Sequence, residues 1–581
     1  MNLSRPTREA LLLFFAILIG VLTSIGVLGF LALIALGQWL FWPGGENFLV
    51  QVSQAPWWLK LLVPALGGLL LGPVIALWGS EFRGPGVSEV IEAAALEDGY
   101  LPPRLTFLKT LCTALTIGTG GSVGREGPVA IIGSAIGSSL ARFFNLGAEK
   151  VRVALACGAA AGIAATFNAP FAGTLFAVEI ILGDIQIAYL GPVALSAFVA
   201  IIAAKYIWTG FPLLISPPFE FRQPGEIGLY LLLGLLGGLL AVLFTRAISA
   251  SDTLYRKLPL PEWLKPALGG LALGLVGLWN PHVFGVGYTS INLALAGKLA
   301  LDAALLILLV KFMATAICLG SMSGGIVGPS LFLGAMLGTG FALSINLVFP
   351  GWHLIPVDYA LVGMAALVGG TTLGPITAIL IIFDLTKDYR TIIPLIMSCV
   401  ASLLTVKYLY GYSIYETKLL RRGVHLVRGR DVNILRALRV KDCMSKKIEI
   451  LYDDTPLAEI LGKAEKSPYT NFIVLDSREE LSGVLTLADV RKDLRFPKEL
   501  SAATTAEKLK TREVVTVTPD DDLETALNLL EDRHFPFLPV VLPHEPKKVV
   551  GLLKLEDLLT AYQQKLLKMR LRQLPEIMKR T

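Results

Sequence analysis

Long stretches of this chain contain no Asp, Glu, Lys or Arg, among them Leu11–Gly45, Leu61–Ser80, Phe312–Val357 and Tyr359–Phe383. A helix needs roughly 20 apolar residues to cross the hydrocarbon of a bilayer, so several of these runs can span one. The first is too long for a typical secretory leader, and many further apolar segments follow it. The chain is 54% hydrophobic with a mean hydropathy of +0.65, above the roughly 45–50% apolar content of soluble domains. Charge is concentrated at one end. Residues 421–581 hold 29 Lys/Arg and 25 Asp/Glu, while the first 420 residues hold 42 charges in all. That shift marks the main domain boundary.

The net charge of +6 is modest, and without a dominant basic tract nucleic acid is not an expected partner. The five cysteines, 112, 157, 318, 399 and 443, have no metal-ligand spacing and read as reduced packing residues. Arg5 and Arg8 precede the first span, and the charged tail is globular in pattern. Both termini are therefore expected on the cytoplasmic side of a plasma (inner) membrane.

The apolar segments are broken by Gly and Pro, as at Gly72-Pro73 and Gly328-Pro329. Interrupted helices at membrane depth are tolerated only where their backbone is buried in protein or lines a wet cavity, which suggests a transport path. Aligning Ser122–Gly137 with Ser323–Gly338, an offset of 201, places Ser122, Gly124, Gly127, Pro128, Gly133 and Gly137 on Ser323, Gly325, Gly328, Pro329, Gly334 and Gly338. The chain thus reads as two related halves, and inverted repeats of this kind put the substrate site at their interface. Each copy is G-x-x-G-P opening an apolar helix. Glycine permits tight turns and close approach, and proline suits the first helical turn. The free N–H groups and the positive dipole end then favour an anion. Such a cradle holds an anion without a full positive charge, so release stays fast. The spacings Gly133–Gly137 and Gly334–Gly338 allow close helix packing.

Gly124-Arg125-Glu126-Gly127-Pro128 resembles the GREGP signature of the CLC chloride channel and transporter family. Gly325-Ile326-Val327-Gly328-Pro329 resembles its G-x-F-x-P motif, and Gly84-Pro85-Gly86-Val87-Ser88 its G-S-G-I-P motif. Phe167-Asn168-Ala169-Pro170, Phe383-Asp384-Leu385-Thr386 and Ser413-Ile414-Tyr415 are similar to further family segments, all in the expected order. The resemblance implies an all-α polytopic membrane domain of two inverted repeats with roughly 17–18 helices, and a homodimer with one pore per subunit. It implies anion ligands from Pro85 and Gly86 of the first motif, from Arg125 and Gly127, from the Ile326 and Val327 amides, and from the Tyr415 hydroxyl. Glu126 matches the gating glutamate, a tethered mimic of the permeating ion that protonation or competing anions release. Arg125 reads either as a pore cation or, preferably, as half of a structural ion pair. Tyr415 also reads as an interfacial aromatic.

The chain departs from the family pattern at several positions. Pro85 stands where chloride-selective members have serine and supplies neither hydroxyl nor N–H. Nitrate-preferring plant members resemble this chain there, so chloride and nitrate are both candidate substrates. Ser88 replaces the motif's proline and Val327 its phenylalanine. In Phe176-Ala177-Val178-Glu179-Ile180, Ile180 replaces the acid that passes protons in coupled members. Glu179 is the nearest substitute, but reads more readily as a buried, paired structural carboxylate. The balance leans to uncoupled conduction, with anion/proton antiport as the alternative.

The tail alternates strand-like and helix-like stretches. Gly483–Asp489 aligns with Gly551–Asp557, 68 residues on. This resembles a tandem pair of CBS domains with an α/β fold. The expected layout is a membrane domain over 1–420, a linker over 421–436, a first CBS unit over 437–498 opened by Val440–Met444, a linker over 499–508, a second unit over 509–565 and a tail over 566–581. The resemblance implies adenine nucleotide (ATP, ADP or AMP) as a ligand, with Asp489 and Asp557 on ribose and Thr486 and Lys554 on phosphate. Both aspartates also read as helix caps. CBS pairs occur on magnesium transporters too, but a cation path needs clustered carboxylates, whereas the G-x-x-G-P pair presents N–H groups. Glu126 has no catalytic partner evident in the sequence, so no enzyme is expected.

Overall fold

Within a bilayer every backbone polar group must find a partner inside the protein, which leaves helices as the natural product of the apolar runs. The computed structural model describes residues 5–42, 44–45, 47–79, 82–207, 219, 223, 225–422, 424, 435, 438–466, 471–486, 489–490, 504–532 and 536–564. It has two compact units, Met1–Arg430 and Asp431–Thr581. Among the described residues the first unit contains eighteen α-helices, from Arg5–Phe41 to Ile414–Arg421, in agreement with the expected all-α membrane domain. Eight helices, from Leu12–Phe41 to Tyr389–Arg421, are long and apolar enough to cross a membrane. Trp57, Leu77, Leu306 and Leu309 point outward and exposed, a surface that hydrocarbon accepts and water does not.

Small residues take the centre. The helix Ala148–Phe167 is composed largely of Ala and Gly, and 89% of its apolar window is buried. It packs on Glu126–Phe143 so closely that a Cβ on Gly133 would lie 1.9 Å from the Gly158 carbonyl oxygen. The second half repeats the contact. Val327–Val348 packs on Pro356–Thr372, and a Cβ on Gly334 would lie 2.3 Å from the Gly363 oxygen. Close approach of this kind gives dispersion contact where no hydrophobic effect operates between helices.

The second unit pairs two small sheets. Strands β1 (Ile450–Tyr452), β2 (Asn471–Leu475) and β3 (Leu481–Thr486) form the first, with β1 parallel and β3 antiparallel to β2. Strands β4 (Phe537–Leu542) and β5 (Glu545–Lys554) form an antiparallel pair. Ile473, Val484, Phe537 and Leu552 share one core between the sheets. Sequence order and packing disagree at both openings. Val440, which opens the first repeat in the chain, lies in the core of the second with Val517 and Leu523, and Ser445 pairs with Leu552. Ala506 and Leu509 conversely join the first core, and Thr511 pairs with Val484. Each repeat is closed by the segment that precedes the other, an exchange that the 68-residue sequence offset does not reveal. The expected linker 421–436 falls largely, the linker 499–508 by half, and the tail 566–581 wholly, outside the described residues.

Candidate anion pathway

The two G-x-x-G-P segments meet head to head. The Gly124 amide donates to the Gly325 carbonyl at 2.8 Å, and the Gly325 amide to the Gly124 carbonyl at 2.7 Å. This isolated antiparallel pair fixes the start of Glu126–Phe143 against the start of Val327–Val348. Arg125 and Ile326 are the respective N-cap residues, so the unpaired amides of both first turns open toward one region. Around it, Gly86 approaches Gly127, with the Gly86 nitrogen 3.3 Å from a Cβ placed there. Val286 approaches Gly328 in the same way, its Cγ1 3.1 Å from a Cβ there.

Glu126 is fully buried in this region, and neither carboxylate oxygen has a hydrogen-bond partner. Amides of Arg125, Glu126 and Gly328 face it without good hydrogen-bond geometry. Its oxygens lie where side chains of Gly124, Gly325 or Gly328 would be, at 2.0, 2.6 and 2.6 Å from the respective Cβ positions. These three glycines make the space that the carboxylate fills. Tyr415 is buried with its hydroxyl unpartnered and within electrostatic range of Glu126.

Pro85, Gly86, Arg125, Gly127, Ile326, Val327 and Tyr415 are thus all buried, on the elements that converge on Glu126. Two of them have other contacts than expected. Among the described residues Arg125 forms no ion pair: its planar guanidinium donates to the Thr166 carbonyl at 3.4 Å and stacks on the Tyr288 ring at 4.6 Å, contacts that need no carboxylate. Pro85 contributes a carbonyl that is already taken. Lys418 Nζ donates to it and to the Arg83 carbonyl, both at 2.9 Å, and to Glu89 Oε1 at 2.8 Å.

Glu179 serves a different element. Its carboxylate accepts from the Ile376 and Thr377 amides and the Thr377 hydroxyl, at 3.2, 2.7 and 2.6 Å, capping the helix Pro375–Thr386. Asp384, in that helix, accepts from the Ala172 amide at 2.9 Å and caps Pro170–Leu175. Each acid lies nine residues after its own half's proline and caps the opposite half's helix. The shared Pro-to-acid spacing was the available sequence clue. Ile180 packs beside this cap, against Gly374.

Residues 67–407 match the voltage gated chloride channel family. The chain belongs to that family. Residues 440–495 and 506–564 match CBS domains. The chain is 36% identical over 408 residues to a ClcB-like chloride channel protein of Ralstonia nicotianae, covering 68% of this chain and 95% of that one. A slow cyanobacterial Cl−/H+ antiporter superposes with a TM-score of 0.63 at 26% identity, over 71% of this chain and 97% of its own. A eukaryotic CLC transporter superposes at 0.61 and 22% identity, over 94% of this chain and 97% of its own, which shows the fold. This CLC chain is therefore a multi-pass integral membrane protein of an anion-transporting family, which displaces the magnesium-transporter reading.

In the CBS pair, Thr486 donates through its amide and hydroxyl to Asp489 Oδ2 at 2.9 and 2.7 Å, and accepts from the Asp489 amide at 3.2 Å. The Lys554 amide donates to Asp557 Oδ2 at 3.1 Å. Both aspartates close the turn from strand to helix, and each uses Oδ2 to do so.

Because the two-half cap is structural, Glu179→Ala should remove about 0.5–2 kcal/mol of stability and lower the thermal midpoint of the purified protein in detergent. An unchanged midpoint, with an effect confined to proton movement, would overturn the capping role.

Proposed function

We propose that this CLC protein carries small anions, chloride or nitrate, along a pathway that the Glu126 carboxylate closes and opens. The observation that carries the reading is a buried carboxylate with both oxygens unpartnered, set where two helix N-termini meet. An unpaired ion in such a place is costly unless its position is one that an anion is meant to occupy. Glu126 then acts as a tethered anion, and a proton or a competing anion displaces it.

Conduction without proton coupling is the preferred form. Ile180 has no titratable group, and Glu179 is engaged by three donors as a cap. The similarity to a slow Cl−/H+ antiporter favours a second form, proton-coupled exchange, in which water or another acid replaces the missing relay. The full reading includes a homodimer in the plasma (inner) membrane with both termini cytoplasmic. The test is anion flux from liposomes holding protein whose dimeric mass is checked by light scattering. Flux through the wild type should rise as external pH falls, whereas Glu126→Gln should conduct at all pH values. A Glu126→Gln variant that keeps the wild-type pH profile refutes gating. A reversal potential that moves with a pH gradient would select exchange over conduction.

Selectivity turns on Pro85. With no hydroxyl, and with its carbonyl held by Lys418, it leaves recognition in that loop to backbone amides, which suits a planar oxyanion as well as a sphere. Pro85→Ser should lower the nitrate-to-chloride flux ratio several-fold in a competition assay. An unchanged ratio would assign selectivity elsewhere.

Adenine-nucleotide binding at the CBS pair is the remaining part of the proposal, with Asp489 and Asp557 meeting ribose, and Thr486 and Lys554 meeting phosphate. Titration calorimetry of the full-length protein with ATP, ADP and AMP should show saturable heat that Asp557→Ala abolishes. No heat with any nucleotide leaves the pair as a dimer-stabilising module.

A further inference from the structure

The 201-residue relation between the halves extends further than the two G-x-x-G-P segments. Gly84 and Gly86 fall on Gly285 and Gly287, and Val87 falls on Tyr288. The structure bears this out. Gly84 and Gly285 have nearly equal positive φ, +70° and +66°. Gly84 donates to the Met322 carbonyl at 2.8 Å, and Gly285 to the Gly120 carbonyl at 3.0 Å, so each loop is tied to the segment entering the opposite half's signature. Val87–Leu96 and Tyr288–Leu295 are then equivalent helices. The first starts with valine, and the second with a tyrosine at the same position.

The Tyr288 hydroxyl is buried and has no hydrogen-bond partner. It faces the Arg125 guanidinium and the Glu126 carboxylate. The ring cannot swing away freely, because Arg125 stacks on it at 4.6 Å and Arg125 is itself held by Thr166. Gly287, with φ +93°, brings the helix start close to Phe332 and the buried Lys311, where any Cβ would collide with the Phe332 ring at 2.4 Å. A buried donor without an acceptor thus stands beside a buried acceptor without a donor, two residues after Val286, the counterpart of Pro85 in the second half.

We infer that the Tyr288 hydroxyl is an anion ligand of this pathway, donating to the Glu126 carboxylate when that group is in place and to the transported anion when it is not. The inference rests on the reading of Glu126 as a tethered anion. Tyr288 supplies from the second half the hydroxyl that Pro85 does not supply from the first.

The experiment is chloride titration calorimetry on full-length protein in the Glu126→Ala background, where the carboxylate no longer competes. Tyr288→Phe keeps the ring and its stacking and removes one oxygen. Adding it should weaken chloride binding by about tenfold or more, the usual effect of deleting a hydrogen bond to a charge. Equal affinity in the Glu126→Ala and Glu126→Ala/Tyr288→Phe proteins overturns the role of Tyr288 and leaves the gating reading intact. A Glu126→Ala parent that binds no anion overturns both. The Tyr288→Phe single variant gives a second readout. Liposome anion flux should exceed wild type several-fold once Glu126 loses its donor, and flux equal to or below wild type counts against the inference.

Discussion

Two backbone hydrogen bonds between Gly124 and Gly325 set the geometry on which the pathway depends. At membrane depth an unpaired amide or carbonyl is expensive, so two loops interrupting helices must satisfy each other or lie against water. Here each supplies the other's donor and acceptor. Only glycine permits it. A Cβ on Gly325 would stand 2.9 Å from the Gly124 oxygen and 2.6 Å from Glu126 Oε2. The pair fixes the separation of two helix N-termini and leaves a gap the size of a carboxylate. The close packing of Gly133 on Gly158 and of Gly334 on Gly363 then braces both helices from behind.

The approximate two-fold relation separates structural positions from functional ones. Where the halves agree, the residues build the frame: the glycines of the two clasping loops, the prolines that start helices, and the acids Glu179 and Asp384 that cap across the interface. Where the halves differ, the pathway becomes directional. Glu126 corresponds to Val327, Arg125 to Ile326, Pro85 to Val286 and Val87 to Tyr288. One side thus carries the buried carboxylate, and the other carries a hydroxyl facing it. Glu179 holds three donors at the start of the opposite half's helix, and Asp384 makes the matching contact from the other side.

Much of the frame was legible because it is written in local pattern. Charge-free runs gave the spans, and G-x-x-G-P at a fixed offset gave the two halves and the point where they meet. The rest depends on contacts that sequence spacing does not encode. Arg125 was expected to find an acid and found a carbonyl and a ring contributed from 41 and 163 residues away. Tyr288 has an apolar counterpart, Val87, so nothing in the residue types marks it; the equivalence of the two loops lies in backbone geometry, the nearly equal φ of Gly84 and Gly285. Val440 opens the first CBS repeat in the chain, as its place in the sequence implies, but its side chain completes the core of the second, which sequence order does not encode.

The Ile414–Arg421 helix joins these parts in a way that follows from its bonds alone. Ser413 and Glu416 cap it reciprocally. Tyr415, in its first turn, brings a hydroxyl toward Glu126, while its carbonyl receives the Ser88 hydroxyl at 3.2 Å. Lys418, one turn later, holds the Pro85 carbonyl. Lys418 is only partly exposed and holds two carbonyls and a carboxylate at once, so the helix and the Gly84–Ser88 loop are tied together by side-chain bonds. It is also the last described helix of the membrane unit. A displacement of that helix would reach a hydroxyl and the Pro85 loop together and, through the Gly84 amide bonded to the Met322 carbonyl, the segment that leads into the Gly124–Gly325 clasp.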